Sequence, residues 1–168
     1  MLGDGRIIEY WDGGDPDGRA VILHPGTPST RVLGHWPHEA ADSAGVRLLT
    51  VNRPGYGGST ASTEPSLLRT GQETAALAAG LGLERYAVIG ASGGGPFAVA
   101  TAIADPTRVR AVGVVGGIGP WRLLEPPDKN PDTAAPNHSP RFYVDEACLG
   151  HGMKLLSGLA FDWLAANA

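Results

Sequence analysis

The sequence is poor in cysteine, in charge and in long apolar runs, and each shortage closes off a class of function. Cys148 is the single cysteine, so no internal disulfide forms, and its thiol reads as a small buried apolar residue. Charged residues make up only 18% of the chain, and the 13 basic side chains are outnumbered by 17 acidic ones, with no block of like charge. That removes the basic patch that nucleic acid or an anionic membrane surface would need. No apolar stretch approaches the roughly 20 residues of a membrane-crossing helix. The opening MLGDGRIIEYWDGG lacks the charged-then-apolar pattern of a secretion signal. Neither H-E-x-x-H nor C-x-x-C nor G-x-x-x-x-G-K-[ST] occurs, so no metal and no phosphate-bearing cofactor is expected. A cytoplasmic protein acting on a small neutral or apolar molecule, without nucleic acid or membrane as partner, fits these exclusions.

What the chain has in quantity is glycine, 25 of its 168 residues. One glycine cluster organises the rest. In Tyr86 to Ala104, YAVIGASGGGPFAVATAIA, a short apolar run with Val88 and Ile89 reads as a buried strand of a parallel sheet. Pro96 then suits the first turn of a helix, where its missing N–H costs nothing. Ser92 falls on the corner between them, and Gly90-Ala91-Ser92-Gly93-Gly94 fits G-x-S-x-G, a spacing that holds a serine in a strained turn. The hydroxyl is lifted above the sheet edge, with the Gly93 amide and the positive end of the helix facing any charge that develops beside it. Gly93, Gly95 and Ala98 also fit a dinucleotide fingerprint, G-x-G-x-x-[GA]. That fingerprint needs an acidic residue at the end of the next strand, and Val109 to Val115 runs into Gly116-Gly117-Ile118-Gly119 instead.

Taken in order, Arg6 to Tyr10 reads as an edge strand closed by a turn over Asp12 to Gly18. Ala20 to Leu23 is a buried strand that runs into the rigid loop His24-Pro25-Gly26-Thr27-Pro28-Ser29-Thr30. A helix over Trp36 to Ser43, a strand over Arg47 to Val51 and a second rigid loop from Asn52 to Ser59 follow. Glu64 and Ser66 open a helix whose apolar face includes Leu67, Leu77, Ala78 and Leu81, and which Gly80 and Gly82 end. Strands alternating with helices give βαβ units, hence an α/β fold with a mostly parallel sheet and helices on both faces.

Three motifs in this order, HPGTP at His24 to Pro28, NRPGYGGS at Asn52 to Ser59 and GASGGGPFA at Gly90 to Ala98, resemble the N-terminal part of an α/β-hydrolase of the esterase, haloperoxidase and proline-iminopeptidase kind. DPTRVRAVGVVGG at Asp105 to Gly117 resembles that family's next helix end and strand. The resemblance implies an α/β-hydrolase core over residues 1–119, a partial helical lid over 120–168, and a sheet truncated before its last strands. It implies Ser92 as nucleophile toward an ester, amide or related acyl bond, with the amides of Gly93 and Thr27 as oxyanion donors. Asn52 stands where relatives usually carry Asp, and its loop is expected to shape the mouth of the site.

The family places its acid and histidine after Ser92 on later strands, whereas residues from Pro120 onward read as proline-rich loop and lid helix. His24 is expected to be a structural hydrogen-bonding residue, and His35 and His38 solvated residues at a helix start. His138 and His151, with Asp128, Asp132 or Asp145, are the remaining local substitutes. The alternative to an incomplete serine hydrolase is a non-catalytic α/β module that binds a small ligand. Either way, a shortened sheet leaves an open strand edge and an apolar face, and self-association is the expected consequence.

Overall fold

Successive side chains of a strand point to opposite faces, so the apolar strands predicted above need cover on both sides. In the computed structural model, which describes residues 1–117, the strands are β1 (Tyr10–Gly14), β2 (Arg19–His24), β3 (Val46–Val51), β4 (Tyr86–Ala91) and β5 (Val109–Val115). The helices are α1 (His38–Ser43), α2 (Leu67–Gly80) and α3 (Gly95–Ala104). One sheet results, in the order β1-β3-β2-β4-β5, with β1 antiparallel to β3 and the other pairings parallel. Each parallel connection passes through a helix, as a crossover between parallel strands requires.

The two faces are covered differently. Ile22, Leu49, Val51, Tyr86 and Val88 pack against Ala78 of α2 and Ala98 of α3. Leu23 and Leu48 on the opposite face pack against Ala41 of α1. Beside that second cluster, Val21, Leu33, Trp36, Ile89 and Val115 border an open apolar groove of about 690 Å³.

Local chemistry sets the helix ends. Ser66 accepts the Arg69 amide at 3.1 Å and caps α2. Gly82, at φ +70°, supplies the left-handed residue just beyond its end. The Tyr86 hydroxyl donates to Asp105 at 2.7 Å, and Arg108 bonds both that carboxylate, at 2.8 Å, and the Ala75 carbonyl, at 3.0 Å. This cluster ties the start of β4 to α2 and to the end of α3.

Two expectations are corrected. The first strand begins at Tyr10, so Asp12, Gly13 and Gly14 lie inside it instead of in a turn. Pairing with β3 overrides their turn propensity, and Gly13 leaves room for the Trp11 ring, which a methyl group there would overlap. Arg6 to Glu9 instead bonds the loop after β3: the Ile7 carbonyl accepts the Thr60 amide at 2.9 Å and the Glu9 carbonyl accepts the Asn52 amide at 2.9 Å. The helix placed over Trp36 to Ser43 starts only at His38, after a 3₁₀ turn over Arg31–His35. Its hydrogen-bond ladder begins from the Pro37 carbonyl, which accepts the Ala41 amide at 2.8 Å. The lid predicted over 120–168 lies outside the described residues.

Candidate active site

The loops that follow β2, β3 and β4 leave the carboxyl ends of adjacent parallel strands, where open α/β sheets bind their ligands. Ser92 begins a 3₁₀ turn, Ser92–Gly94, that leads directly into α3. Its φ is +48°, the one positive value at a non-glycine position among the described residues. A side chain held there costs about 1–3 kcal/mol and persists only where its surroundings fix it. They do so tightly. A methyl group on Gly90 would lie 2.5 Å from the Gly94 carbonyl oxygen, and one on Gly94 would overlap the His24 carbonyl oxygen. The two outer glycines of G-x-S-x-G therefore let strand, turn and the neighbouring β2 loop pack backbone against backbone.

The loop after β2 runs alongside this corner. A methyl group on Gly26 would sit 3.2 Å from Ser92 Cβ and 3.8 Å from its Oγ. One on Gly93 would sit 2.7 Å from Thr27 Oγ1 and 3.4 Å from the Thr27 nitrogen. Ser92, Gly93 and Thr27, predicted as a group, are thus neighbours. The Thr27 amide donates to no described residue, and the first turn of α3 starts within the same corner, bringing its positive end close.

His24 has no exposed surface. Its Nε2 lies 3.0 Å from Thr101 Oγ1, and its ring stacks near Phe97 with centroids 6.2 Å apart. Burial, followed by the charge of Arg53, pushes the imidazole down to about 3, so it is neutral at any ordinary pH. Its Nδ1 has no hydrogen-bond partner among the described residues. A cavity of about 10 Å³ lined by His24, Asn52, Arg53 and Thr74 adjoins it, room for about one water.

His35 and His38 are exposed but not merely solvated. Both rings pack on Trp11, at 4.9 and 5.5 Å, and His38 Nδ1 accepts the Gly14 amide at 2.9 Å. Neither hydrogen-bonds Ser92. His138, His151, Asp128, Asp132 and Asp145 lie outside the described residues.

The Asn52 loop shapes the site from the β3 side. Asn52 Oδ1 accepts the Arg31 amide at 2.6 Å, and its Nδ2 donates to Glu9 Oε2 at 2.6 Å. Glu9 also accepts the Gly58 amide at 2.8 Å and pairs with Arg31 at 3.1 Å. The Gly58 amide, and after it the Arg31 and Asn52 side chains, outweigh desolvation and hold the Glu9 carboxyl below its usual range. Arg53 is 5% exposed and donates to the carbonyls of Pro25 and Gly26. Neither Glu9 nor Arg53 was singled out from the sequence. For Arg53 a signal existed: a lone arginine in a proline- and glycine-rich loop directly after a buried strand. For Glu9, 43 positions from Asn52, no local pattern points to the contact.

An open pocket of about 390 Å³ borders this ground, lined among others by Thr27, Arg53, Tyr56, Leu67 and Phe97. It is of a size to take a small molecule, with an apolar and aromatic wall. None of the described helices is long and apolar enough to cross a membrane.

Residues 19–147 match the model of a family described as alpha/beta hydrolase fold. Over 133 residues the chain is 34% identical to a non-heme chloroperoxidase of Streptomyces lividans, an alignment covering 77% of this chain and 47% of that protein. A solved structure of a probable hydrolytic enzyme from Pseudomonas aeruginosa PAO1 superposes with a TM-score of 0.64 at 27% identity, covering 74% of this chain and 42% of that one. The enol-lactonase from Burkholderia xenovorans LB400 shares the fold, with a TM-score of 0.59 at 21% identity over 66% of this chain and 43% of its own. The matched region thus covers less than half the length of each of these relatives.

Proposed function

The chain belongs to the α/β-hydrolase fold family, and on that premise we propose that it carries the nucleophile-bearing part of a serine hydrolase for small molecules. The bond attacked is an ester, amide or related acyl bond. Ser92 Oγ adds to the acyl carbon, the carbonyl oxygen takes up negative charge, and the amides of Gly93 and Thr27 donate to it. Each such donor contributes about 3 kcal/mol in the transition state.

The observation that carries this reading is the φ of +48° at Ser92, beside an amide at Thr27 with no partner among the described residues. A strained serine between glycines, at the start of a helix and against a second backbone loop, is an arrangement suited to acyl transfer and to little else.

Attack also requires that the Ser92 proton go to a base. His24 is unsuited to that role, because its Nε2 is bonded to Thr101 and burial holds it neutral with a value of about 3. The commitment of His24 Nε2 to Thr101, 3.0 Å away, favours, as second reading, an α/β module that binds a small acyl compound without turning it over.

Labelling with a fluorophosphonate, read by intact mass with Ser92→Ala as control, separates the two. An adduct that disappears in the control supports the hydrolase. A folded protein that takes up no label rules out turnover by this chain and leaves the binding module.

A further inference from the structure

Arg53 is a charge in an expensive place. It is 5% exposed, and no carboxylate among the described residues pairs with it. A guanidinium so placed is tolerated only when its N–H groups find strong acceptors. Here Nη1 donates to the Pro25 carbonyl at 3.0 Å and Nη2 to the Gly26 carbonyl at 3.2 Å. Its flat face lies over the Tyr56 ring at 4.5 Å and the Phe97 ring at 5.3 Å, which hold the plane of the fork.

A planar fork across two successive carbonyls fixes two successive peptide planes. The Gly26 carbonyl is held a second time, by the Ser29 amide at 2.9 Å. In a trans peptide the N–H points opposite to the C=O. Turning the Gly26 carbonyl toward Arg53 therefore turns the Thr27 N–H away from it, and the Thr27 nitrogen is the one that lies beside Gly93.

We propose that Arg53 is a positioning residue: through the Pro25 and Gly26 carbonyls it aims the Thr27 amide at the oxygen that becomes charged during acyl transfer. This rests on the serine-hydrolase reading above. The guanidinium touches neither Ser92 nor the acyl group in this role; it sets the direction of a backbone donor.

The test uses the full chain with Arg53→Met and Arg53→Lys, each checked for folding by thermal melting. Two readouts are taken. One is the nuclear Overhauser contact between the Thr27 amide proton and the Gly93 α-protons, which needs no turnover. The other is fluorophosphonate inactivation, resolved into kinact and KI. Both variants are expected to lose the contact and to lower kinact by about 100-fold, the effect of one missing oxyanion donor, with KI unchanged. Lysine fails because a single ammonium cannot span both carbonyls, so it serves as the test if the methionine variant does not fold.

A retained contact, or an unchanged kinact, in a folded variant overturns the proposal. If the wild-type chain takes up no label, the serine-hydrolase reading has failed for this chain. The nuclear Overhauser contact alone then decides whether Arg53 orients Thr27.

Discussion

His24 Nε2 and Thr101 Oγ1 lie 3.0 Å apart in the interior, and the same hydroxyl donates to the Phe97 carbonyl at 2.8 Å. The hydroxyl proton is committed to Phe97, so the imidazole is the donor. Nε2 carries the proton and Nδ1 is bare. The bond joins the end of β2 to the middle of α3, and so holds the loop that carries Gly26 and Thr27 against the helix that begins at the Ser92 corner.

Acid should expose the cost of this buried neutral ring. An unfolded histidine titrates near 6.5 and His24 at about 3. Between those values the unfolded chain binds a proton that the folded chain refuses. Stability from this residue is therefore flat above the unfolded value and falls as pH drops below it, by up to about 1.4 kcal/mol per pH unit. Carboxylates titrate below the window from about pH 6.5 to about pH 5, and the other four histidines are common to the wild type and to the His24→Gln variant compared with it. Urea melts across that window should show the loss in the wild type and a flatter profile in His24→Gln, although that variant is the less stable at about pH 8. Equal slopes would mean that His24 takes up its proton as readily in the folded chain as in the unfolded one.

Removing the side chain at the strained corner should stabilise the fold. Ser92→Gly relieves a positive φ that only glycine adopts freely, and is expected to raise stability by about 1 kcal/mol over Ser92→Ala, whose Cβ keeps the strain. Denaturant midpoints of the two variants, neither of which can take up a fluorophosphonate at residue 92, give the comparison directly. A Gly variant no more stable than the Ala variant would mean that the corner is relaxed.

An aspartate at position 52, the residue that the family resemblance leads one to expect there, should harm this chain. Asn52 Nδ2 donates to Glu9 at 2.6 Å, so Asn52→Asp sets two carboxylates against each other. The pair then holds one proton with a raised value, and the penalty grows as pH climbs from about 4. A loss of about 1–3 kcal/mol is expected at pH 7, nearly absent near pH 4, where a protonated carboxyl can still donate. Adding Glu9→Gln should recover most of it. Thermal melts of the single and double variants at both pH values are the measurement.

Two glycines of α2 should respond in opposite senses to alanine. Nothing lies within 4 Å of a methyl group built on Gly80, whereas one on Gly71 would lie 2.6 Å from the Ala100 carbonyl carbon and 2.9 Å from the Thr101 nitrogen. Gly80→Ala should gain about 0.5–1 kcal/mol from helix propensity. Gly71→Ala should lose about 1–3 kcal/mol because α3 must move away. Chemical denaturation of both variants reads the two signs.

The parts of this molecule that were legible in advance are the ones set by neighbours in sequence. Val88 and Ile89, then Gly90 to Gly94, then Pro96 specify strand, corner and helix within a dozen positions, and the fold has them in that order. The first strand escapes a local reading because Asp12-Gly13-Gly14 has the composition of a turn. Only pairing with Leu49, Leu48 and Arg47 makes it a strand. The ends of that pairing, like the Glu9 to Asn52 bond, join residues remote in sequence, and no periodicity carries such information.

Sequence by itself determined that strands and helices alternate, that three rigid loops follow three strands, and that Ser92 stands at a corner where a side chain is strained. Those features depend on φ preferences, on missing N–H groups and on side-chain alternation, all properties of adjacent residues. Tertiary structure alone decided that His24 is a buried neutral donor to Thr101, and that the charge of Arg53 is spent on two backbone carbonyls. It also decided that Thr27 comes to lie against Gly93. A buried polar group takes whatever partner the packing leaves within hydrogen-bond reach, and that partner is chosen in space.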